Sequence, residues 1–209
     1  MRATLIGRFL LFAVLGLIVL LPLWYWAAPW LAALPIWVAG TVMKAIFPWV
    51  DSFEHQGVKA ILVTLVQVRM KGPQGDVFGE LVPEVSYPTY GYGLVLLWAM
   101  LIASHPRRWW LKGLIGSLLL VPAQAWCICF QWLRDVVVLS GPSGAAYLKY
   151  PSWANEVVVY GYQFGFLMLT PVAPILLWLM FDKRFVAALW LEAALADKPE
   201  PAREKARMH

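Results

Sequence analysis

The reading of the whole chain turns on residues 91–133: GYGLVLLWAMLIAS (91–104), HPRRWWLK (105–112) and GLIGSLLLVPAQAWCICFQWL (113–133). Two apolar stretches are joined by a connection that is short, basic and marked by Trp109 and Trp110. Apolar runs of this kind form membrane helices, Lys and Arg are retained on the cytoplasmic side, and Trp favours the headgroup layer. The stretch is therefore a pair of transmembrane helices whose turn lies at the cytoplasmic surface.

Composition agrees. The 209 residues are 61% hydrophobic and only 14% charged, with 13 Trp, which is poor material for a water-facing surface. A net charge of +5 would suit a nucleic-acid partner, but the basic residues sit at Arg2/Arg8, Arg107/Arg108/Lys112, Lys183/Arg184 and Lys198 to Arg207. These positions lie between or beside apolar spans, where they set topology and build no phosphate-binding face, so nucleic acid is excluded. Cys127 and Cys129 are the only cysteines. Cys-x-Cys is too sparse for a structural zinc site, and residues two apart on a helix point in different directions, which disfavours a disulfide. No metal or cofactor is expected.

Working outward, Arg2 and Arg8 precede an uncharged run from Phe9 to Leu23 that continues into Trp24-Tyr25-Trp26. No small-x-small cleavage site follows promptly, so this is read as an uncleaved first transmembrane helix. Leu34 to Val50 is apolar but interrupted by Pro35, Gly40, Lys44 and Pro48. It is read as a helix at or just under the outer surface, a further crossing being the alternative. Ile61 to Met70 is rich in β-branched residues, Lys71 to Asp76 has turn composition, and Val77 to Val82 resumes the strand pattern, which predicts a β-hairpin. A lone hairpin is marginal in water and must lean on something.

The expected fold is thus a single integral membrane domain over residues 1–209, α-helical, with about four transmembrane helices and a small extracytoplasmic β-hairpin. The spans fall at about 7–30, 91–104, 113–133 and 157–180, the last kinked by Pro171 and Pro174. Segments 31–90 and 134–156 lie outside, the second as a Gly- and Pro-rich loop, and 181–209 forms a cytoplasmic tail. With both termini in the cytoplasm, only Lys44, Lys59, Arg69, Lys71, Arg134 and Lys149 of the 17 Lys/Arg fall on the outer side. Membrane lipid is one partner.

Ser117, Gln124, Cys127 and Gln131 share one face of the third span by helical spacing. Buried amides in a bilayer seek partners, so this stripe, with Gln163 across from it, is expected to pack helices. The alternative use is Cys127 as a thiol nucleophile, which needs a base, and His105 belongs at the opposite surface. A small transporter component is a further alternative, although the span interiors lack the charges that relays use.

From Gln56-Gly57 and on through Leu81-Val82-Pro83-Glu84-Val85-Ser86-Tyr87-Pro88-Thr89-Tyr90-Gly91-Tyr92-Gly93-Leu94, the chain resembles the small inner-membrane proteins encoded beside exosortase H in Gram-negative bacteria. The order of parts is similar too. The exosortases themselves are membrane transpeptidases using Cys, Arg and His, and this chain looks unlike them: Cys127 lacks the Ser-Gly context that follows the exosortase cysteine. The resemblance implies a non-enzymatic accessory or assembly partner of a protein-sorting system in the bacterial inner membrane, with a membrane protein, the exosortase, as partner. The expected contact surface is on the outer side, at Arg69, Glu84, Tyr87, Tyr90 and Tyr92, because Tyr and Arg are favoured at interfaces.

Overall fold

A computed structural model describes residues 5–72, 75–148 and 151–196. The first helix, α1 (Leu5–Leu31), has 27 residues. At 1.5 Å per residue it is about 40 Å long, more than a hydrocarbon layer of ~30 Å. Helix α2 (Ala33–Ile46) follows after Ala32, and the bonds Ala32 N–H to Ala28 O and Ile36 N–H to Ala32 O carry the chain through the junction. It buries Ile36, Ala39 and Met43 on one face and exposes Trp37 on the other. The Phe53 ring sits directly on the backbone of α2, since a Cβ at Gly40 would lie 2.3 Å from it.

Five strands come next, arranged differently from the expected single hairpin. Strands β1 (Val50–Gln56), β2 (Lys59–Thr64), β3 (Gln67–Gly72), β4 (Gly75–Glu80) and β5 (Glu84–Ser86) form a three-stranded sheet in the order β1-β2-β5 and a separate β3-β4 hairpin. The β1-β2 connection is Gly57-Val58, and Gly57 has φ +63°, a left-handed conformation that suits glycine. The run Ile61 to Met70 is not one strand. It breaks at Leu65-Val66, where Leu65 N–H turns to Trp49 O and Leu81 N–H bonds Val66 O. Thr64, fully buried, fastens the break by donating from Oγ1 to Leu81 O at 2.7 Å. The expected hairpin is therefore present as β3-β4, shorter at its start, and β2 pairs with β1 and β5 instead.

Helix α3 (Pro88–Ser104) opens with its proline in the first turn, where the missing N–H costs nothing. It has 17 residues and packs at the centre of the bundle, burying Tyr90, Leu94, Leu97 and Leu101. The turn to α4 (Trp109–Leu148) holds His105 and Arg108 at φ 48° and 59°. With 40 residues, α4 is about 60 Å long, roughly twice the hydrocarbon thickness. Residues 134–148, read from the sequence as a loop, continue this helix. Glycine and proline composition is a weak prior, and packing overrides it here: Trp132 and Val136 are fully buried, and Trp132 Nε1 donates to Ala60 O of β2 at 3.2 Å. The helix is thus the post against which the sheet leans.

Helix α5 (Ser152–Phe164), a π-turn (Gly165–Leu169) and α6 (Thr170–Phe181) make the last long apolar stretch, and α7 (Lys183–Ala196) follows. In the π-turn Thr170 N–H reaches Gly165 O, five residues back. Pro174 has no N–H to give to Thr170 O, four residues before it, and that freed carbonyl faces α3: a Cβ at Gly93 would stand 2.7 Å from it. Only glycine allows this approach. Close packing through small residues is how membrane helices associate, since lipid offers no hydrophobic drive. Residues 197–209 of the expected tail lie outside the described residues.

Among the described residues, three helical stretches are long and apolar enough to cross a membrane: Leu5–Leu31, Trp109–Ser140 and Trp153–Phe181. Their basic ends converge. Phe9, beside Arg8, stacks on Trp178 at 5.1 Å and meets Phe185 at 5.0 Å. Lys112 Nζ donates to Phe181 O, and Trp178 Nε1 donates to Ser104 Oγ at 3.1 Å. Basic clusters far apart in sequence therefore share one end of the bundle, and the two sheets occupy the other.

Candidate functional site

The polar groups of the sheet end form a closed circuit. Tyr90, 2% exposed, donates its hydroxyl to Gln131 Oε1. Gln131 Nε2 donates to Asp135 Oδ2 at 3.1 Å, an i to i+4 contact on α4. The other carboxylate oxygen, Oδ1, accepts from Arg134 Nε at 3.0 Å and Nη2 at 2.6 Å. The Arg134 guanidinium lies over the Tyr162 ring, 4.5 Å from its centroid. Tyr162 stacks on Phe166 (6.2 Å, 7°), and Phe166 meets Tyr90 edge-on (6.3 Å, 90°). Six side chains from α3, α4, α5 and the π-turn are thereby tied together. Each polar atom that a low-dielectric surrounding would penalise has a partner within the chain.

The residues of the expected packing stripe lie as follows. Ser117 Oγ accepts from Trp98 Nε1 of α3 at 3.0 Å while donating to Gly113 O at 2.7 Å. Gln124 is buried, and so is Cys127, whose Sγ lies 3.7 Å from Thr170 Oγ1. The space beside Cys127, lined also by Tyr90, Gly93 and Gln124, is only about 10 Å³, enough for one water and no substrate. Gln163 departs from the stripe. It is exposed, with Asn155, Glu156 and Tyr160 around it, and among the described residues it has no hydrogen-bond partner. The π-turn lies between Gln163 and the prolines, and this part of α5 turns Tyr162 toward α4 and Gln163 away.

The residues expected to bind a partner divide into two groups. Tyr87 and Tyr90 are buried, 1% and 2% exposed, and act within the chain. Tyr87 packs against Trp24 at 6.3 Å, and burial pushes its phenol up to about 12, with the Gln124 amide pulling the other way. Tyr92 is half-buried against the core. Glu84 pairs with Lys59 Nζ of the adjacent strand at 2.7 Å. Arg69 lies in β3 opposite Phe78. Arg134 and Asp135 are members of the circuit that the sequence does not single out. The i to i+4 spacing of Gln131 and Asp135 was the available signal, whereas Tyr90 is 41 positions away from Gln131.

Long apolar helices with paired polar groups between them, carrying a small β element at one end, define an α-helical multi-pass membrane protein. The family model of the exosortase H-associated membrane proteins matches residues 3–185, and the chain belongs to that family. No curated protein and no solved structure matches the chain.

Proposed function

We propose that this chain is a non-enzymatic accessory or assembly partner of an exosortase-type protein-sorting system in the bacterial inner membrane. It crosses the membrane four times, α3 supplying the short crossing, with both termini cytoplasmic and the two sheets outside. The exosortase is the partner, and it is bound at the sheet end of the bundle.

Gln163 carries the reading of a protein partner. It sits exposed on a helix apolar enough to cross a membrane, beside Glu156 and Asn155, and has no hydrogen-bond partner among the described residues. An amide so placed against lipid is costly, and a neighbouring membrane helix is what relieves it. Glu84, about half exposed, lies at the same end of the molecule, and Arg69 and Tyr92 belong to the proposed surface by their places in β3 and at the start of α3. Tyr87 and Tyr90 support that surface from within.

Photo-crosslinkers at positions 84, 92 and 163, in cells carrying the complete sorting system, are expected to capture the exosortase at 163 and at one or both of the others. Lipid adducts alone at all three positions would reject the surface. Reporter fusions at Gly75 and after Lys112 are expected to read periplasm and cytoplasm respectively; the reverse would overturn the orientation.

A further inference from the structure

At the basic end, the α3–α4 turn and the α6–α7 junction enclose a cleft of about 580 Å³. Two direct bonds hold its sides together: Lys112 Nζ donates to Phe181 O, and Trp178 Nε1 donates to Ser104 Oγ at 3.1 Å. Arg107 and Lys112 line it from one side, Lys183 and Arg184 from the other. In the sequence these are two separate topology signals; folding brings them to one opening. Arg107, Lys183 and Arg184 are exposed and have no ion-pair partner among the described residues. Asp182 is the one acid of the wall among the described residues, and it is 6% exposed, with Oδ1 accepting from Phe185 N–H and Oδ2 sealed inside the protein. Little of that carboxylate reaches the surface, so the accessible charge of the cleft is cationic. Like charges that share one opening repel, and an anion between them relieves the repulsion.

We propose that this cleft binds the headgroup of an anionic phospholipid, phosphatidylglycerol being the simplest, with its phosphate among Arg107, Lys183 and Arg184. Guanidinium groups meet phosphate oxygens in pairs, and an ammonium adds a point charge. The volume falls within the range of small-ligand clefts. What makes the anion a lipid is where the cleft opens. It lies at the start of one stretch apolar enough to cross a membrane, Trp109–Ser140, and at the end of another, Trp153–Phe181. On its rim Met180 is 64% exposed, and Leu176, one helical turn away on α6, is 53% exposed. The two form an apolar track leading from the cleft along the helix, a surface that an acyl chain covers and a soluble phosphate leaves bare. Basic pockets between membrane helices hold acidic headgroups in this manner. Zwitterionic lipids fit less well, because their ammonium adds a further positive charge where no carboxylate is open to receive it. The inference concerns the end of the bundle away from the sheets and does not rest on the exosortase as partner.

The test is native mass spectrometry of the full chain exchanged into mixed micelles holding equal amounts of phosphatidylglycerol, phosphatidylethanolamine and phosphatidylcholine. Retention of the glycerol lipid is expected to exceed that of either zwitterionic lipid by about tenfold, since each Lys or Arg near an anionic headgroup adds roughly a factor of five. The double variant Arg107→Gln/Arg184→Gln, at exposed positions, is expected to reduce that ratio to about twofold. A charge-matched control, Arg8→Gln/Arg108→Gln, removes two exposed cations that do not line the cleft and is expected to keep most of the preference. Equal retention of the three lipids by the unaltered chain would overturn the proposal. So would equal losses in the two double variants, which would trace the preference to diffuse surface charge. Displacement of the lipid by soluble glycerol phosphate at the same concentration would overturn the lipid as occupant.

Discussion

At the sheet end Asp135 accepts from Arg134 through one oxygen and from Gln131 through the other; at the basic end Asp182 caps α7 with one oxygen and buries the second, which has no hydrogen-bond partner among the described residues. Both carboxylates sit near the ends of apolar helices. Both are enclosed by their own chain, one paired through both oxygens and the other through one. The difference teaches where the chain has closed its own hydrogen bonding: the circuit at the sheet end ties α3, α4 and α5 together, whereas the carboxylate at the basic end holds only the start of α7.

The comparison can be broken most forcefully at the first carboxylate. Asp135→Ala strands Arg134 and the Gln131 amide together, and is expected to cost about 2–3 kcal/mol. Asp182→Asn keeps the capping oxygen and is expected to stay within about 0.5 kcal/mol of the unaltered chain. Thermal unfolding midpoints of both variants, in one detergent, measure this contrast, and equal losses would erase it. Tyr90→Phe is a finer probe. It keeps the ring against Phe166 and removes the hydroxyl from Gln131, for an expected loss of about 1 kcal/mol by the same measurement. A loss near zero would mean that the circuit does not depend on closure at that point. The smallest effect is expected at Lys59→Gln, since its pair with Glu84 is about half exposed on both sides. Exposed pairs contribute about 0–1 kcal/mol, so the midpoint should barely move, and what difference there is should shrink with added salt.

How much of this was legible beforehand follows from the range of the interactions. The apolar runs of α1 and the first half of α4 were plain, because hydrocarbon thickness and helical rise fix what such a run must do. The second half of α4 was not, because Gly141-Pro142 and Gly144 look like a loop and nothing local reveals that Trp132 and Val136 anchor the helix against a sheet. The break at Leu65-Val66 was equally hidden. Both flanks have strand composition, and only the distant partners Trp49 and Leu81 show that two sheets meet there. Among the site residues, Ser117, Gln124, Cys127 and Gln131 could be read because helical spacing is a local property. Gln163 is exposed in the folded chain, and the π-turn beyond it is not visible in the sequence. The cleft around Asp182 depends on segments more than seventy residues apart, and its charges read from the sequence only as topology signals.

The π-turn has one more consequence, and it concerns the length of the chain. Gly165–Leu169 spans one residue more than an α-helical turn would need to make the same connection. On one side of that extra residue Tyr162 meets Arg134; on the other Thr170 meets Cys127 and presents its carbonyl to Gly93. Each residue in a helix turns the next by about 100°, so a chain shorter by one here would rotate one set of these contacts away from the other. The stretch can exchange one side chain for another more readily than it can lose or gain a position. Counting, more than chemistry, keeps α5 and α6 in phase with the helices they touch.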